Sequence, residues 1–309
     1  MSLESFLGDL RADTDTTRVT PPPGAVDCDV RITAASGENP PKDVPDCPLE
    51  HYRPVQDELG LSRVVLIQPD ALGFDNSTLL SALQVLSADP EGLVEDCARA
   101  FCMVRPGVDT AELRDLAAAG VTGMRVTMLR HRESCPWDEI DRHVRRVHDL
   151  TGWDVELAMD GSDLHEVAQM LRAWPCTIIL PDFGGFRFSR SLTQPGFRSL
   201  RHLVDRGRTW VKFSAPYVIA KDGDPEDPEI HELTRALVDW APERMVWGSA
   251  WPHLSWPAPN WLGGDEPVPD DLGLMQTVGA WIPEEEVRDR ILRENSESLY
   301  GFRPWPVTK

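Results

Sequence analysis

Short apolar runs alternate with longer amphipathic stretches along most of the chain. Arg63–Gln68 (RVVLIQ) is typical of the runs, because it is almost wholly apolar, as expected of a strand buried on both faces. Asn76–Ala88 is typical of the amphipathic stretches, with apolar residues at helical spacing and Asp75 or Asn76 as a suitable N-cap. The pattern therefore predicts strand–helix units that repeat along the chain.

Eight such units are predicted. The strands are Ala25–Thr33, Arg63–Gln68, Ala98–Val104, Val121–Thr127, Asp154–Met159, Cys176–Leu180, Thr209–Ser214 and Arg244–Gly248. The helices are Asn76–Ala88, Thr110–Ala119, Trp137–Leu150, Asp163–Ala173, Gly196–Asp205, Pro228–Trp240, Asp270–Ala280 and Pro283–Leu292. This order predicts an α/β fold, a single parallel (β/α)8 TIM barrel over residues 25–309, after a polar N-terminal arm, residues 1–24. A doubly wound open sheet is the alternative, but the G-x-G-x-x-G loop it would need is absent.

The composition limits which kinds of binding partner and which cellular compartment are expected. The chain has 309 residues, which suits one barrel, and its formal net charge of −20 argues against nucleic acid, whose phosphates it would repel. No window approaches 18 apolar residues, so no membrane partner is expected. Six cysteines without a C-x-x-C pair, and an N-terminus without an apolar signal region, predict free thiols in the cytoplasm.

One segment carries a specific resemblance. Val246–His253 reads V-W-G-S-A-W-P-H and closely resembles the eighth-strand signature of the amidohydrolase 2 family, W-G-S-D-W-P-H. Gly120–Val126 is similar to that family's G-x-x-G-x-R fourth strand, and Val211–Ser214 to its V-K-x-S seventh strand. The chain is thus identified as a member of the amidohydrolase superfamily, which implies the TIM barrel.

A second stretch points to one branch of that family. His51–Arg53 and Leu59–Val65 resemble the 2-pyrone-4,6-dicarboxylate lactonases and D-galactarolactone isomerases. Members of this branch bind carboxylated lactones without a catalytic metal. The resemblance therefore implies a small anionic substrate.

Several residues depart from the family pattern. The H-x-H of the first strand is Asp29 and Arg31 here, the histidine of strand six is Asp182, and the strand-eight aspartate that normally activates water is Ala250. A transition metal needs three or more ligands that converge on one point, and Arg31 would repel a cation. We therefore expect no metal and no other cofactor.

Three cations should meet at the carboxyl ends of the strands, where active sites of this fold lie. Arg31, Arg125 and Lys212 would form an anion pocket, in which arginine grips a carboxylate and lysine polarises a carbonyl. The alternative is a salt-bridge network with the acidic residues predicted nearby, Asp29, Asp160 and Asp182.

The sequence also assigns candidate roles. The catalytic candidates are Asp29 and Asp182 as proton carriers, and Lys212 and His253 as groups that stabilise charge. The substrate-binding candidates are Arg31, Gln68, Arg125, Asp160, Tyr217 and Trp251. The structural alternatives are a helix cap for Asp160, a turn imidazole for His253, and packing for Gln68 and Tyr217. His143 and His165 lie in predicted helices and are expected at the surface.

Two functions remain open. The first is a metal-independent enzyme acting on a carboxylated lactone or sugar-acid lactone, as a lactone isomerase or a lactonase. Ala250 favours isomerisation slightly, because a substrate hydroxyl can attack the carbonyl within one molecule and needs no activated water. The second is a non-catalytic, anion-binding barrel whose chemistry has decayed. In either case the partner is a small anion, and a homo-oligomer is left open.

Overall fold

Eight parallel strands follow one another around a single sheet in the order of the sequence. The structure is a computed structural model, and it describes residues 19–33, 44–88, 96–129, 135–187, 192–221, 223–255 and 268–306. The strands are β1 (Val26–Val30), β2 (Arg63–Ile67), β3 (Ala98–Cys102), β4 (Val121–Met128), β5 (Asp154–Met159), β6 (Ile178–Leu180), β7 (Thr209–Phe213) and β8 (Met245–Trp247).

Helices follow the strands on the outside of the sheet. They are α1 (Leu49–Leu59), α2 (Ser77–Ser87), α3 (Thr110–Ala118), α4 (Trp137–Thr151), α5 (Leu164–Arg172), α6 (Pro195–Asp205), α7 (Pro216–Ile219), α8 (Pro228–Trp240), α9 (Asp271–Trp281), α10 (Glu285–Asp289) and α11 (Asn295–Tyr300). A π-helical segment, Arg290–Glu294, joins the last two. None of the helices in the described ranges is long and apolar enough to cross a membrane.

The sheet closes on itself between its first and last strands. Val30 forms a parallel bridge with Trp251, just past the end of β8, and the Arg31 N–H donates to the Trp251 carbonyl at 2.8 Å. This closure confirms the predicted (β/α)8 barrel. The division into an arm and a barrel remains a prediction, because residues 1–18 of the arm lie outside the described residues.

The two faces of the strands pack into separate apolar clusters. Val64 and Leu66 of β2 pack with helix residues on the outside, whereas Val65 and Ile67 join the cluster inside the barrel. Tyr300 and Phe302, at the C-terminus of the described chain, belong to the inner cluster. This inner cluster, which we call the apolar plug, fills one end of the barrel interior. The opposite end of the interior is left for polar side chains.

Three described helices were not predicted from the sequence: α1, α7 and α11, the last of which lies just past the predicted helix Pro283–Leu292. α1 contains Pro54, which normally interrupts helical hydrogen bonding, and it follows Pro48 directly. Its buried residues nevertheless follow a helical spacing, from Leu49 and Tyr52 to Leu59. The helix α7 has only four residues, too few for periodicity to reveal.

Candidate active site

A network of alternating charges crosses the interior of the barrel above the apolar plug. Its members, in order of contact, are Arg31, Asp29, Lys212, Glu156, Arg125 and Asp70, which we call the buried network. A register shift in β1, between Asp27 and Val30, accompanies the inward placement of Asp29. Three cations face three carboxylates, so the network is balanced in charge.

The first half of the network is centred on Asp29. Arg31 grips both oxygens of this carboxylate, with Nε 3.0 Å from Oδ1 and Nη2 3.3 Å from Oδ2. The Lys212 ammonium lies 3.4 Å from Asp29 Oδ2 and also donates to Glu156. Lys212 has no exposed surface, so its charge is held by these carboxylates alone among the described residues.

The second half is centred on Arg125. Its Nε and Nη2 donate to the two oxygens of Asp70 at 2.9 and 3.1 Å, and its Nη1 donates to Glu156. Thr127, two residues further along β4, donates to Asp70 at 2.6 Å. Arg125 is therefore saturated by protein carboxylates, but these are Glu156 and Asp70 and not the Asp29, Asp160 or Asp182 that the salt-bridge alternative named.

Electrostatics keeps the buried network ionised. Burial alone would raise the pKa of Asp29, but Arg31 and Lys212 outweigh it and hold that pKa at about 2. Burial opposes the charge on Lys212, and the two neighbouring carboxylates nevertheless raise its pKa. Arg125 likewise keeps the pKa of Asp70 far below the ordinary value, against the effect of burial. Asp29 is thus a fixed anion and a weak base.

Sequence reasoning missed two members of this network. Glu156 stands in the middle of the apolar β5 run, and an acidic residue at an inward position of a barrel strand is a usable signal. Asp70 lies in a short 3-10 turn after β2, and nothing in the local pattern marks it.

A second group of polar side chains lies at the strand ends, and we call it the rim: Asp182, Tyr217, His253 and Asp271. Asp182 follows β6, and burial raises its pKa, although Arg31 and Arg187 partly offset the effect. It accepts from Ser214 Oγ at 3.2 Å, and Arg187 is 3.7 Å away. Asp182 is held more loosely than Asp29 and titrates at higher pH than an ordinary aspartate.

The other three rim residues form a line. Tyr217 Oη lies 3.1 Å from His253 Nδ1, and His253 Nε2 lies 3.2 Å from Asp271 Oδ1. The second contact is close but poorly aligned, since neither atom has a well-formed hydrogen bond within the described part of the chain. Buried polar atoms without a partner are rare, which distinguishes this part of the rim from the buried network.

Backbone strain is concentrated at the same strand ends. Six described non-glycine residues have positive φ, and five of them follow β6, β7 or β8: Asp182, Phe183, Ala215, Ala250 and His253. Such conformations cost roughly 1–3 kcal/mol each and persist where the surrounding structure enforces them, often at functional sites. Ala250 packs with Ala215, Tyr217 and Leu274, so its environment is apolar.

The remaining candidates have structural contacts. Gln68 donates to the carbonyls of Gly73 and Asp75 at 3.1 and 2.8 Å, which fixes the loop that carries Asp70. Asp160 caps the turn that follows β5, because it accepts from the Ser162 N–H at 2.9 Å and its hydroxyl at 2.6 Å. Trp251 packs on Tyr52, with ring centroids 5.4 Å apart. These contacts correspond to the structural alternatives for Gln68 and Asp160.

His143 and His165 were both expected at the surface, and this prediction is wrong for His143. His165 is exposed as predicted, but His143 is buried, with Nε2 3.1 Å from the Val104 carbonyl. Burial lowers the pKa of His143. Its place on the inner face of α4, beside Val144 and Val147, explains the error.

The residues at the first-strand positions do not fit a transition metal. Both oxygens of Asp29 are engaged by Arg31, so an incoming cation would have to displace a guanidinium. No group of three His, Cys, Asp or Glu side chains suited to a metal occurs among the described residues.

Comparisons with known proteins agree with this architecture. The family model Amidohydro_2, described as amidohydrolase, matches residues 26–302. The chain is 28% identical over 291 residues to a 4-sulfomuconolactone hydrolase of Hydrogenophaga intermedia, covering 92% of this chain and 91% of that protein. It is 28% identical over 259 residues to a D-galactarolactone isomerase of Agrobacterium fabrum, covering 84% and 83%.

A solved structure supports the fold. The ligand-free crystal structure of an Agrobacterium tumefaciens protein superimposes with a TM-score of 0.77 at 26% identity, covering 92% of this chain and 98% of that one. The family model, the relatives and this structure all extend over nearly the whole barrel.

Proposed function

The chain belongs to the amidohydrolase family Amidohydro_2, and from that premise we propose that it acts without a catalytic metal on a small lactone bearing an anionic group. The observation that carries the proposal is that Arg31, held by both oxygens of Asp29, lies close enough to Asp182 for each charge to affect the pKa of the other group. A fixed guanidinium beside a carboxyl of raised pKa supplies both anion binding and proton transfer.

Arg31 is the anion-binding group in this proposal. Asp29 holds its guanidinium through two oxygens, so little side-chain freedom remains to be lost when a ligand binds. The guanidinium would contact the anionic group of the lactone or the oxygen on which charge develops. Lys212 and Arg125 each contact two carboxylates, and in this proposal they hold Asp29 and Glu156 in place rather than touch substrate.

Asp182 is the proton carrier in this proposal. Its raised pKa brings it closer to neutral pH than Asp29, whose pKa of about 2 keeps it ionised. Isomerisation is favoured over hydrolysis, because Ala250 supplies no base for a water molecule. In an isomerisation, a hydroxyl of the substrate attacks the lactone carbonyl, and intramolecular attack gains a high effective molarity.

Turnover in the presence of a chelator tests the proposal. The purified protein is incubated with EDTA and each of three lactones: 4-sulfomuconolactone, D-galactarolactone and 2-pyrone-4,6-dicarboxylate. We expect conversion of at least one, with an isomeric lactone as the product where a free hydroxyl is available. Failure on all three, or activity that is lost with EDTA and restored by a metal, would contradict the proposal.

A variant pair tests the role of Arg31. Arg31→Lys keeps the positive charge but loses the two-point contact that a guanidinium makes. Because charge-assisted hydrogen bonds contribute about 1.5–3 kcal/mol, the affinity for the lactone should fall about 10–100-fold. Arg142→Lys, on the exposed face of α4, is the matched control and should bind like the wild type. Equal affinities in the two variants would remove Arg31 from the site.

A non-catalytic anion-binding barrel is the second candidate. The balanced buried network and the apolar surroundings of Ala250 favour it, since both are compatible with a site that binds without reacting. Calorimetric binding of one of the three lactones, with no product after prolonged incubation, would support this candidate over the enzyme.

A further inference from the structure

We infer that Tyr217, His253 and Asp271 form a proton relay that acts as the base of the proposed reaction. The inference rests on the proposed function, which needs a base because Ala250 supplies none. The aspartate that the family pattern places at this position is absent, yet the attacking hydroxyl must still lose its proton. The relay would take over this task from a neighbouring part of the rim.

Three separate elements bring these side chains together. Tyr217 lies in α7, which begins directly after Ala215 and its positive φ of 45°. His253 ends a tight turn after β8, closed by its own N–H on the Ala250 carbonyl at 2.8 Å. Asp271 is the first residue of α9, whose N-cap is the preceding aspartate. The convergence therefore does not follow from local sequence spacing.

The contacts have the order that a relay requires. Tyr217 Oη faces His253 Nδ1 at 3.1 Å, and His253 Nε2 faces Asp271 Oδ1 at 3.2 Å. The Tyr217 and His253 rings pack edge to face, with centroids 5.7 Å apart. A proton on Nε2 lies beside the Asp271 carboxylate, and a small rotation of either side chain would align the two into a hydrogen bond. The Nδ1 lone pair then remains to accept from Tyr217.

Burial restricts where the proton can go. Tyr217 and His253 are almost completely buried, whereas the Asp271 side chain is 16% exposed. The charges of Arg31 and Asp182 also act on Tyr217. Its hydroxyl is therefore within electrostatic range of the proposed substrate groups and within hydrogen-bond distance of His253.

The proton moves in two linked steps. The substrate hydroxyl gives its proton to Tyr217 Oη while Tyr217 gives its own proton to His253 Nδ1, and Asp271 stabilises the resulting imidazolium. The freed oxygen forms a bond to the lactone carbonyl carbon. When the intermediate collapses, the bond to the former ring oxygen breaks, and that oxygen leaves with the electron pair and takes a proton from Asp182. No atom is oxidised or reduced.

The two proton stations complement each other. After one turnover Asp182 is ionised and His253 is protonated, and exchange with solvent restores the starting state. In the reverse isomerisation the two roles are exchanged, because the leaving oxygen of one direction is the attacking oxygen of the other. Tyr217 touches substrate in this scheme, and Asp271 is a positioning residue that acts through His253.

Nitrogen NMR of histidine tests the relay without any substrate. Protein labelled with 15N-histidine should show His253 as the neutral tautomer with its proton on Nε2, and Tyr217→Phe should shift the Nδ1 signal. The exposed His165 should be unaffected by that substitution. A proton found on Nδ1 in the wild type would overturn the inference, since that nitrogen then has no lone pair for the tyrosine proton.

Kinetics on a converted lactone provide the second readout. His253→Asn keeps an acceptor near the Nδ1 position but cannot take up a proton, so kcat should fall about 10²–10⁴-fold while KM stays within about 3-fold. In Tyr217→Phe, kcat should fall by a similar factor, and in Asp271→Asn it should fall about 10–100-fold. His165→Asn is the control and should match the wild type. A His253→Asn variant with wild-type kcat would overturn the relay.

The two readouts separate the two proposals. If the wild type converts none of the three lactones, the proposed function fails, and the tautomer of His253 still decides whether the relay geometry exists. If a lactone is converted and the tautomer is on Nδ1, the proposed function stands and the relay is wrong.

Discussion

The buried network and the rim differ in how completely their charges are satisfied. In the buried network, each cation faces carboxylates at hydrogen-bond or ion-pair distance, and the pKa of Asp29 is held at about 2. At the rim, burial raises the pKa of Asp182, and His253 and Asp271 face each other with imperfect alignment. The strained backbone positions also lie beside the rim.

This difference indicates that the buried network and the rim have different roles. A saturated set of buried ions is costly to disturb and poorly suited to take up or release protons. Loosely held groups can change partners when a ligand arrives. The cations that suggested an anion pocket from the sequence therefore divide into two that support the interior, Lys212 and Arg125, and one that reaches the rim, Arg31.

Removing Lys212 should have the largest effect on stability. Lys212→Met leaves Asp29 and Glu156 facing each other without their shared ammonium, so the free energy of unfolding should fall by about 3–5 kcal/mol. Urea denaturation measures this loss. The matched control is Arg142→Met in an exposed pair on α4, where a change of less than about 1 kcal/mol is expected.

A double variant sharpens this prediction. Lys212→Met combined with Glu156→Met leaves Asp29 paired with Arg31 and Arg125 paired with Asp70. Because no buried charge is then isolated, the double variant should be more stable than Lys212→Met alone. Losses that simply add would show that the ions do not act as one network.

The pH dependence of stability should separate two aspartates of β1. Burial raises the pKa of Asp27 from 3.8 to about 6, against hydrogen bonds from Ser249, Asp29 and Tyr52. The native state thus binds this proton more tightly than the unfolded state, and stability falls as the pH rises from about 4 to about 6, by about 3 kcal/mol. Asp29 has the opposite sign, since its contribution is present above about pH 4 and is lost as the pH falls towards 2.

Asp27→Asn isolates the first of these contributions. Its free energy of unfolding, relative to the wild type, should increase by about 3 kcal/mol between pH 4 and pH 7. Urea titrations of both proteins at several pH values measure the difference. A difference that stays constant over this range would show that Asp27 titrates normally.

Replacing Asp182 should have the smallest effect on stability. Its contacts with Ser214 at 3.2 Å and Arg187 at 3.7 Å are weak, so Asp182→Asn should change the free energy of unfolding by less than about 1 kcal/mol. Turnover of a converted lactone should nevertheless fall about 10²-fold or more. A strongly destabilised variant, or one with full activity, would remove the distinction between the rim and the buried network.

The fold was more accessible from the sequence than the site. Buried parallel strands such as β2 and β6 are short apolar runs. Amphipathic helices such as α8 have recognisable caps and helical periodicity, so local signals define both kinds of element. The helix α1 escaped detection because Pro54 argues against a helix, and only packing of Leu49, Tyr52 and Leu59 reveals it.

The site depends on contacts between distant parts of the chain. The sequence placed Arg31, Arg125 and Lys212 in or just after strands, but their partners Glu156 and Asp70 come from other units of the barrel. Asp271, the first residue of α9, meets His253, in the turn after β8, only through tertiary packing. Strand-end position predicts which residues can be near the site, and tertiary packing decides which of them remain available to a ligand.

A crystal structure with a bound lactone tests the central claim most directly. The Asp182→Asn variant, soaked with 2-pyrone-4,6-dicarboxylate or D-galactarolactone, should bind the ligand without converting it. We predict an anionic oxygen of the ligand on Arg31 and a ligand oxygen near Tyr217, with the Lys212–Glu156 and Arg125–Asp70 pairs unchanged. A ligand oxygen bound directly to Lys212 or Arg125, with Glu156 or Asp70 displaced, would contradict the assignment of reactivity to the rim.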